Sequence, residues 1–150
     1  MSDFELKITG LKEVQKSLYA FSQQLGDRVV RNALKEGAKV VQKIARSNAP
    51  VRTGKLKRSI VIRNSKINNG KRSEEIGVYL TINKSKKGAR NDAFYGRFVE
   101  DGYTSRGGKR IEGVKFMSRA FNSGKSAAVN QIIRAVEAGA EIVKRKTGLK

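Results

Sequence analysis

Phe94-Tyr95-Gly96-Arg97-Phe98-Val99-Glu100-Asp101-Gly102, followed after a Gly-rich basic stretch by Phe116-Met117-Ser118-Arg119-Ala120-Phe121, is the part of the chain around which the rest is arranged. These two stretches hold five of the chain's ten Phe and Tyr residues, and there is no Trp. Aromatic side chains bury large areas, so the segment is expected to join two halves of one core, with Phe98 and Phe116 inside it. The stretch between them, 103–113, has the opposite character, with three glycines and the basic residues Arg106, Lys109 and Arg110. It reads as an exposed loop that serves assembly rather than folding.

Upstream, Phe4, Leu6 and Ile8 alternate with polar residues up to Gly10, which predicts a strand. Leu11, Val14, Leu18, Phe21 and Leu25 follow at helical spacing, with Gly26 as a stop signal and Asp27 as the N-cap of a second helix. That helix is expected to reach about Asn48, because Pro50 disfavours a helical Ala49. Turned at about 100° per residue, it separates into two halves. Val29, Val30, Ala33, Leu34, Gly37, Ala38, Val40, Val41, Ile44 and Ala45 share one side; Arg28, Arg31, Lys35, Lys39, Gln42, Lys43 and Arg46 share the other. Gly37 costs about 1 kcal/mol in a helix interior, so its place beside Ala33 and Ala38 predicts a closely passing backbone. The basic stripe fits a solvated face as well as a binding face, but its charges are nearly all of one sign, whereas a solubilising face usually mixes them.

Ala49-Pro50-Val51-Arg52-Thr53-Gly54-Lys55-Leu56-Lys57-Arg58-Ser59-Ile60 comes next, with Thr53 placed to cap a short turn and Leu56 as its apolar contact. Ile60 and Ile62 then share one strand face, Asn69-Gly70 is a hairpin signal, and Ile76, Val78, Leu80 and Ile82 alternate on the returning strand. Residues 84–92 read as a basic, mobile loop. Ser123 or Ser126 can cap a last helix whose stripe, from Val129 through Ile132, Ile133, Val136 and Ala140 to Val143, is narrow enough for a surface position. The order of elements predicts a single α+β domain over residues 1–150: a small antiparallel sheet, helices packed on one face, and extended basic loops.

Net charge is +20 and unevenly spread. Residues 1–36 carry 6 basic and 5 acidic groups, residues 37–73 carry 11 and none, and residues 74–150 carry 16 and 8. The middle block attracts phosphate or an acidic protein face. With no Cys and no His, disulfides, thiolate chemistry and the commonest general base are excluded. Glu100-Asp101 and Glu137 with Glu141 form no convincing acid–base pair. Gly124-Lys125-Ser126 lacks the earlier glycine of a phosphate loop. No run of about 18 apolar residues is present for a membrane span, and the opening residues carry no secretory pattern. The expectation is a cytosolic protein without catalytic activity, cofactor or metal.

Three groups of residues together resemble a known family: Pro50, Arg52, Thr53 and Gly54 with Leu56 and Ser59; Tyr95, Phe98, Val99, Glu100 and Gly102; and Phe116 with Phe121. Their order and spacing are similar to the neck or tail-component family of tailed phages of the Hong Kong 97 type, more distantly to the lambda minor tail protein Z. Four positions depart from that pattern. Asp101 stands where an aromatic is usual, Tyr103 is an added residue, and Lys115 and Arg119 replace prolines. The resemblance implies a non-catalytic virion protein of the neck or tail, made in the host cytoplasm and assembled as a homo-oligomeric ring. Its implied partners are the connector or head-closure protein and the tail-terminator or tail-tube proteins. Residues 84–92 and 103–113 would reach neighbouring subunits. Arg31, Lys35, Lys39, Lys43, Arg46, Arg52, Lys55, Arg106, Lys109 and Arg110 are the candidate partner-binding residues, facing an acidic protein ring or genomic DNA in the neck channel. The rival reading is a free nucleic-acid-binding module, resting on the charge of 37–73 and the basic face of the second helix.

Overall fold

The helical pattern around Gly37 and the alternation at 78–82 become two faces of one core. The computed structural model describes residues 4–5, 23–64, 77–82 and 93–147. In chain order these form β1 (Phe4–Glu5), α1 (Gln23–Asn48), α2 (Lys55–Ser59), β2 (Ile60–Asn64), β3 (Val78–Ile82), α3 (Gly96–Asp101), β4 (Gly102–Thr104), β5 (Arg110–Glu112) and α4 (Phe116–Thr147). The helix expected over 11–25 lies outside the described residues up to residue 22, and so do the Asn69-Gly70 turn and the loop at 84–92.

The fold is α+β. An antiparallel sheet in the order β1-β3-β2 carries the register Phe4↔Leu80, Ile60↔Ile82 and Ile62↔Leu80. Ile60, Val78 and Leu80 are buried, with Ile62 and Ile82 partly so, and this face lies against α1. The opposite side of α1's apolar half meets α4. Val30, Ala33, Leu34, Ala38, Val41 and Ala45 are all buried, in keeping with the division of the helix read from its period.

Small residues set the approach of α1 to α4. A Cβ at Gly37 would collide with Ile132 and come within 2.9 Å of the Ala128 carbonyl oxygen. A Cβ at Gly124 would lie 2.8 Å from Ile44 Cδ1, and one at Gly139 would lie 2.5 Å from Val29 Cγ1. As position rises along α1 it falls along α4, so the two helices run antiparallel. Gly124-Lys125-Ser126 is thereby a packing site within a helix.

Four local expectations are corrected. First, α1 passes through Gly26 and Asp27 without a break, because Val29 and Val30 already pack against α4 and this tertiary contact outweighs a local stop signal. Second, α4 begins at Phe116, ahead of Ser123 and Ser126. Ser123 Oγ donates back to the Arg119 carbonyl at 2.9 Å instead of capping. Third, the buried stripe of α4 is longer than the predicted one and leaves out Ile133, which is exposed: it begins at Met117 and Ala120 and runs through Ala128, Ile132 and Val136 to Val143, while the rest of the helix lies at the surface as expected. Fourth, 103–113 is a β-hairpin rather than a loop: β4 and β5 pair as Gly102↔Glu112, Tyr103↔Ile111 and Thr104↔Arg110.

Gly37→Ala tests the helix crossing. Alanine favours a helix by about 1 kcal/mol over glycine, yet the added methyl must displace Ile132 or the α4 backbone. Net destabilisation of about 1–2 kcal/mol is expected by chemical denaturation; a more stable variant would show that the two helices do not meet here.

Candidate assembly surface

The family-motif residues gather at one end of the core. Ala49, Leu56, Ser59 and Ile60 are buried, while Pro50, Arg52 and Thr53 are exposed and Lys55 is half-buried. Thr53 does not cap α2. Gly54 holds that position with φ 69, a left-handed backbone that glycine adopts without strain, and its carbonyl accepts Arg58 N–H at 3.1 Å. Ser59 Oγ donates to the Leu56 carbonyl at 2.7 Å, so this buried hydroxyl is satisfied locally. Gly96 brings α3 down onto this motif, for a Cβ there would lie 2.8 Å from Leu56 Cδ1 and 2.9 Å from Ile82 Cγ2. Tyr95, Val99 and Phe121 pack partly buried against the same cluster, and Phe116 is wholly enclosed.

Phe98 is the exception. Expected in the core, it is 50% exposed, and its ring meets Tyr103 edge to face with centroids 5.8 Å apart. Its position on the short helix α3 turns it away from the side that Gly96 and Glu100 bury.

Glu100 fastens this end together. Only 2% exposed, its carboxylate accepts Met117 N–H at 2.8 Å, Ser118 N–H at 3.0 Å and Ser118 Oγ–H at 2.8 Å. The first N–H groups of a helix have no partner within it, and the aligned peptide dipoles favour an anion there. Lys115, at φ 55, turns the chain into α4, and its carbonyl accepts Arg119 N–H at 2.9 Å. Residues 113–115 run back along α3, with Val114 N–H on Val99 O at 2.7 Å and Lys115 N–H on Glu100 O at 3.2 Å. Glycine is required at the crossing, since a Cβ on Gly113 would strike the Glu100 carbonyl and one on Gly102 the Ile111 carbonyl. The residues 94–102 and 116–121 are thus joined as the sequence predicts. The joint itself is a buried carboxylate that the sequence shows as half of an acidic pair and as a family-motif residue, without its partners.

From this base the hairpin projects. Ser105 N–H bonds Lys109 O at 2.9 Å and Gly108 N–H bonds Ser105 O at 3.0 Å, with Gly108 at φ 80. That is a three-residue hairpin connection whose last residue is left-handed; Gly107-Gly108 was the available signal for it. Arg106, Lys109 and Arg110 are exposed on the hairpin. Arg110 donates to the Asp101 carbonyl at 3.0 Å and lies 3.7 Å from Glu112.

The basic face of α1 is divided in its fate. Lys39 pairs with Glu36, Lys43 is exposed, and Arg31 and Lys35 are half-buried. Arg46 is anchored to the protomer instead of facing outward: its guanidinium donates to the Ile60 carbonyl at 2.9 Å, alongside Gln42 at 2.8 Å. This pair satisfies one carbonyl at the start of β2, that of Ile60, which strand periodicity alone does not reveal. Among the described residues no helix is long and apolar enough to cross a membrane.

Residues 12–102 match the family described as "Bacteriophage HK97-gp10, putative tail-component". The chain belongs to this family. The matched region contains α1, the 49–60 motif, β2, β3 and α3, leaves out β1, and ends where the hairpin begins. No curated protein and no solved structure matches the chain.

Replacing Glu100 with Ala removes three hydrogen bonds to a buried, charged acceptor and leaves the α4 N-terminus without a partner. A loss of about 2–4 kcal/mol is expected, read as a lower denaturation midpoint. Unchanged stability would assign the α4 start to other contacts.

Proposed function

We propose that this chain is a structural, non-catalytic subunit of the neck or tail-completion ring of a tailed phage, lying between the head connector and the tail tube of the virion. The family match carries this reading. The projecting hairpin supports it, because an exposed β arm on a rigid base suits contact with neighbouring proteins. The α+β body then supplies rigidity, and the arm supplies reach.

Two linked measurements test it. The mass of the purified protein is followed alone and after mixing with the connector or tail-tube protein of the same phage. Oligomers or complexes are expected; a monomer unaffected by either partner overturns the reading. Deleting Ser105 to Arg110 should leave the far-UV circular dichroism nearly unchanged and abolish joining to tails, whereas infectious particles from the deletion variant would remove the hairpin from assembly.

The outward basic residues of α1, Arg31, Lys35 and Lys43 with the Glu36-paired Lys39, are proposed to face an acidic protein of the junction, with DNA in the channel as the second reading. A DNA contact obeys a salt slope near −0.9 per neutralised phosphate. Lys35→Gln with Lys39→Gln should then lower that slope by about 2. For a protein contact, the double variant should slow assembly while bare DNA is bound weakly near ~0.15 M salt. Tight DNA binding at that salt, lost in the variant while assembly proceeds, reverses the order.

A further inference from the structure

Eight large apolar side chains stand exposed among the described residues, and five belong to one end of the molecule: Phe94, Phe98, Tyr103, Ile111 and Val114. Single exposed apolar groups are ordinary, but a contiguous set marks an interaction surface. Contiguity here rests on geometry. The Phe98 and Tyr103 rings are in edge-to-face contact at 5.8 Å. Tyr103 and Ile111 are directly opposed across the hairpin, so their side chains share one face of it. Phe94 stands in the turn just before α3, its ring edge-on to Tyr95.

The surface is also preorganised. It sits where the Glu100 carboxylate, the Val114–Val99 hydrogen bond and the close passage of Gly102 by Gly113 lock α3, the hairpin and α4 to one another. Little ordering is left for a partner to impose, which lowers the cost of association. Aromatic and arginine side chains are the types that dominate the centres of protein interfaces.

Charge selects the occupant. Arg97, Arg106, Lys109 and Arg110 lie on α3 and the hairpin, and all four are exposed; Arg97 is 3.9 Å from Asp101 and Arg110 pairs with Glu112, so the surplus positive charge is that of Arg106 and Lys109 at the hairpin turn. The carboxylates of this end are engaged: Glu100 is buried under α4, Asp101 pairs with Lys115 at 3.4 Å, and Glu112 pairs with Arg110. A second copy of this chain is poorly suited. It carries +20 itself, and among the described residues Glu36 and Glu141 are ion-paired as well, which leaves Glu137, one turn from Glu141 on α4, as a small acidic offering against so large a positive charge.

We propose that Phe98, Tyr103 and Ile111 anchor a docking surface for a different, acidic protein, one that presents an apolar seat bordered by carboxylates. The inference rests on the assembly role above and names the chemistry of the partner that the hairpin meets.

The test uses the full chain with the connector and tail-tube proteins of the same phage, mixed pairwise and followed by sedimentation velocity. Phe98→Ser with Tyr103→Ser is expected to weaken the complex about tenfold or more, with melting temperature and circular dichroism unchanged because both side chains are half exposed. Should that pair disturb the fold, Ile111→Glu on the exposed strand β5 carries the same expectation. Arg106→Glu with Lys109→Glu is expected to slow association, the effect fading as salt is raised. A complex indifferent to the aromatic and Ile111 changes overturns the docking surface and leaves the neck role standing. A wild-type chain that binds neither protein overturns both. Self-association abolished by the aromatic changes would assign the surface to a second copy and overturn the acidic partner.

Discussion

A single carboxylate, Glu100, sets the relation between the two long core helices and everything built at their end. It sits at the C-terminal part of a six-residue helix and caps a helix of 32 residues. One buried group therefore fixes the direction of the longest element, the exit of the hairpin and the seat of Phe116. An unpartnered carboxylate in that position would be costly to bury. Here three donors and the positive end of α4 meet it, which makes burial favourable and makes the geometry hard to vary.

Much of the fold was legible because it depends on period. The apolar half of α1, the close approach at Gly37 and the alternation of Val78 and Leu80 follow from repeats of 3.6 and 2 residues. Joints were less legible. Glu100 lies 17 residues from Met117, so no local capping pattern announces their bond. Phe98 was expected in the core because aromatic density implies burial, yet only the structure shows which rings face inward. Arg46 and Gln42 looked like members of a solvated stripe. Their use at the β2 edge depends on where a distant strand comes to rest.

The positions that depart from the family pattern are neighbours in space. Asp101 and Lys115 face each other at 3.4 Å, Tyr103 lies against Phe98, and Arg119 donates to the Val114 carbonyl. A proline could not occupy position 115, because its ring holds φ near −65° whereas Lys115 is at φ 55. The departures thus form a compensated set around the hairpin root. The family match ends at residue 102, at the same place.

The antiparallel pairing of α1 with α4 has a mechanical side. At 1.5 Å per residue, α4 is about 48 Å long, clamped at one end by Glu100 and closing at the other with Lys144-Arg145-Lys146. A tug on the hairpin along that axis loads the glycine-lined seam in shear, so that contacts at Val29, Gly37 and Ile44 must yield together. A sideways tug would peel the same seam open one turn at a time. The chain is in that sense a directional strut, stiff along its length and yielding across it.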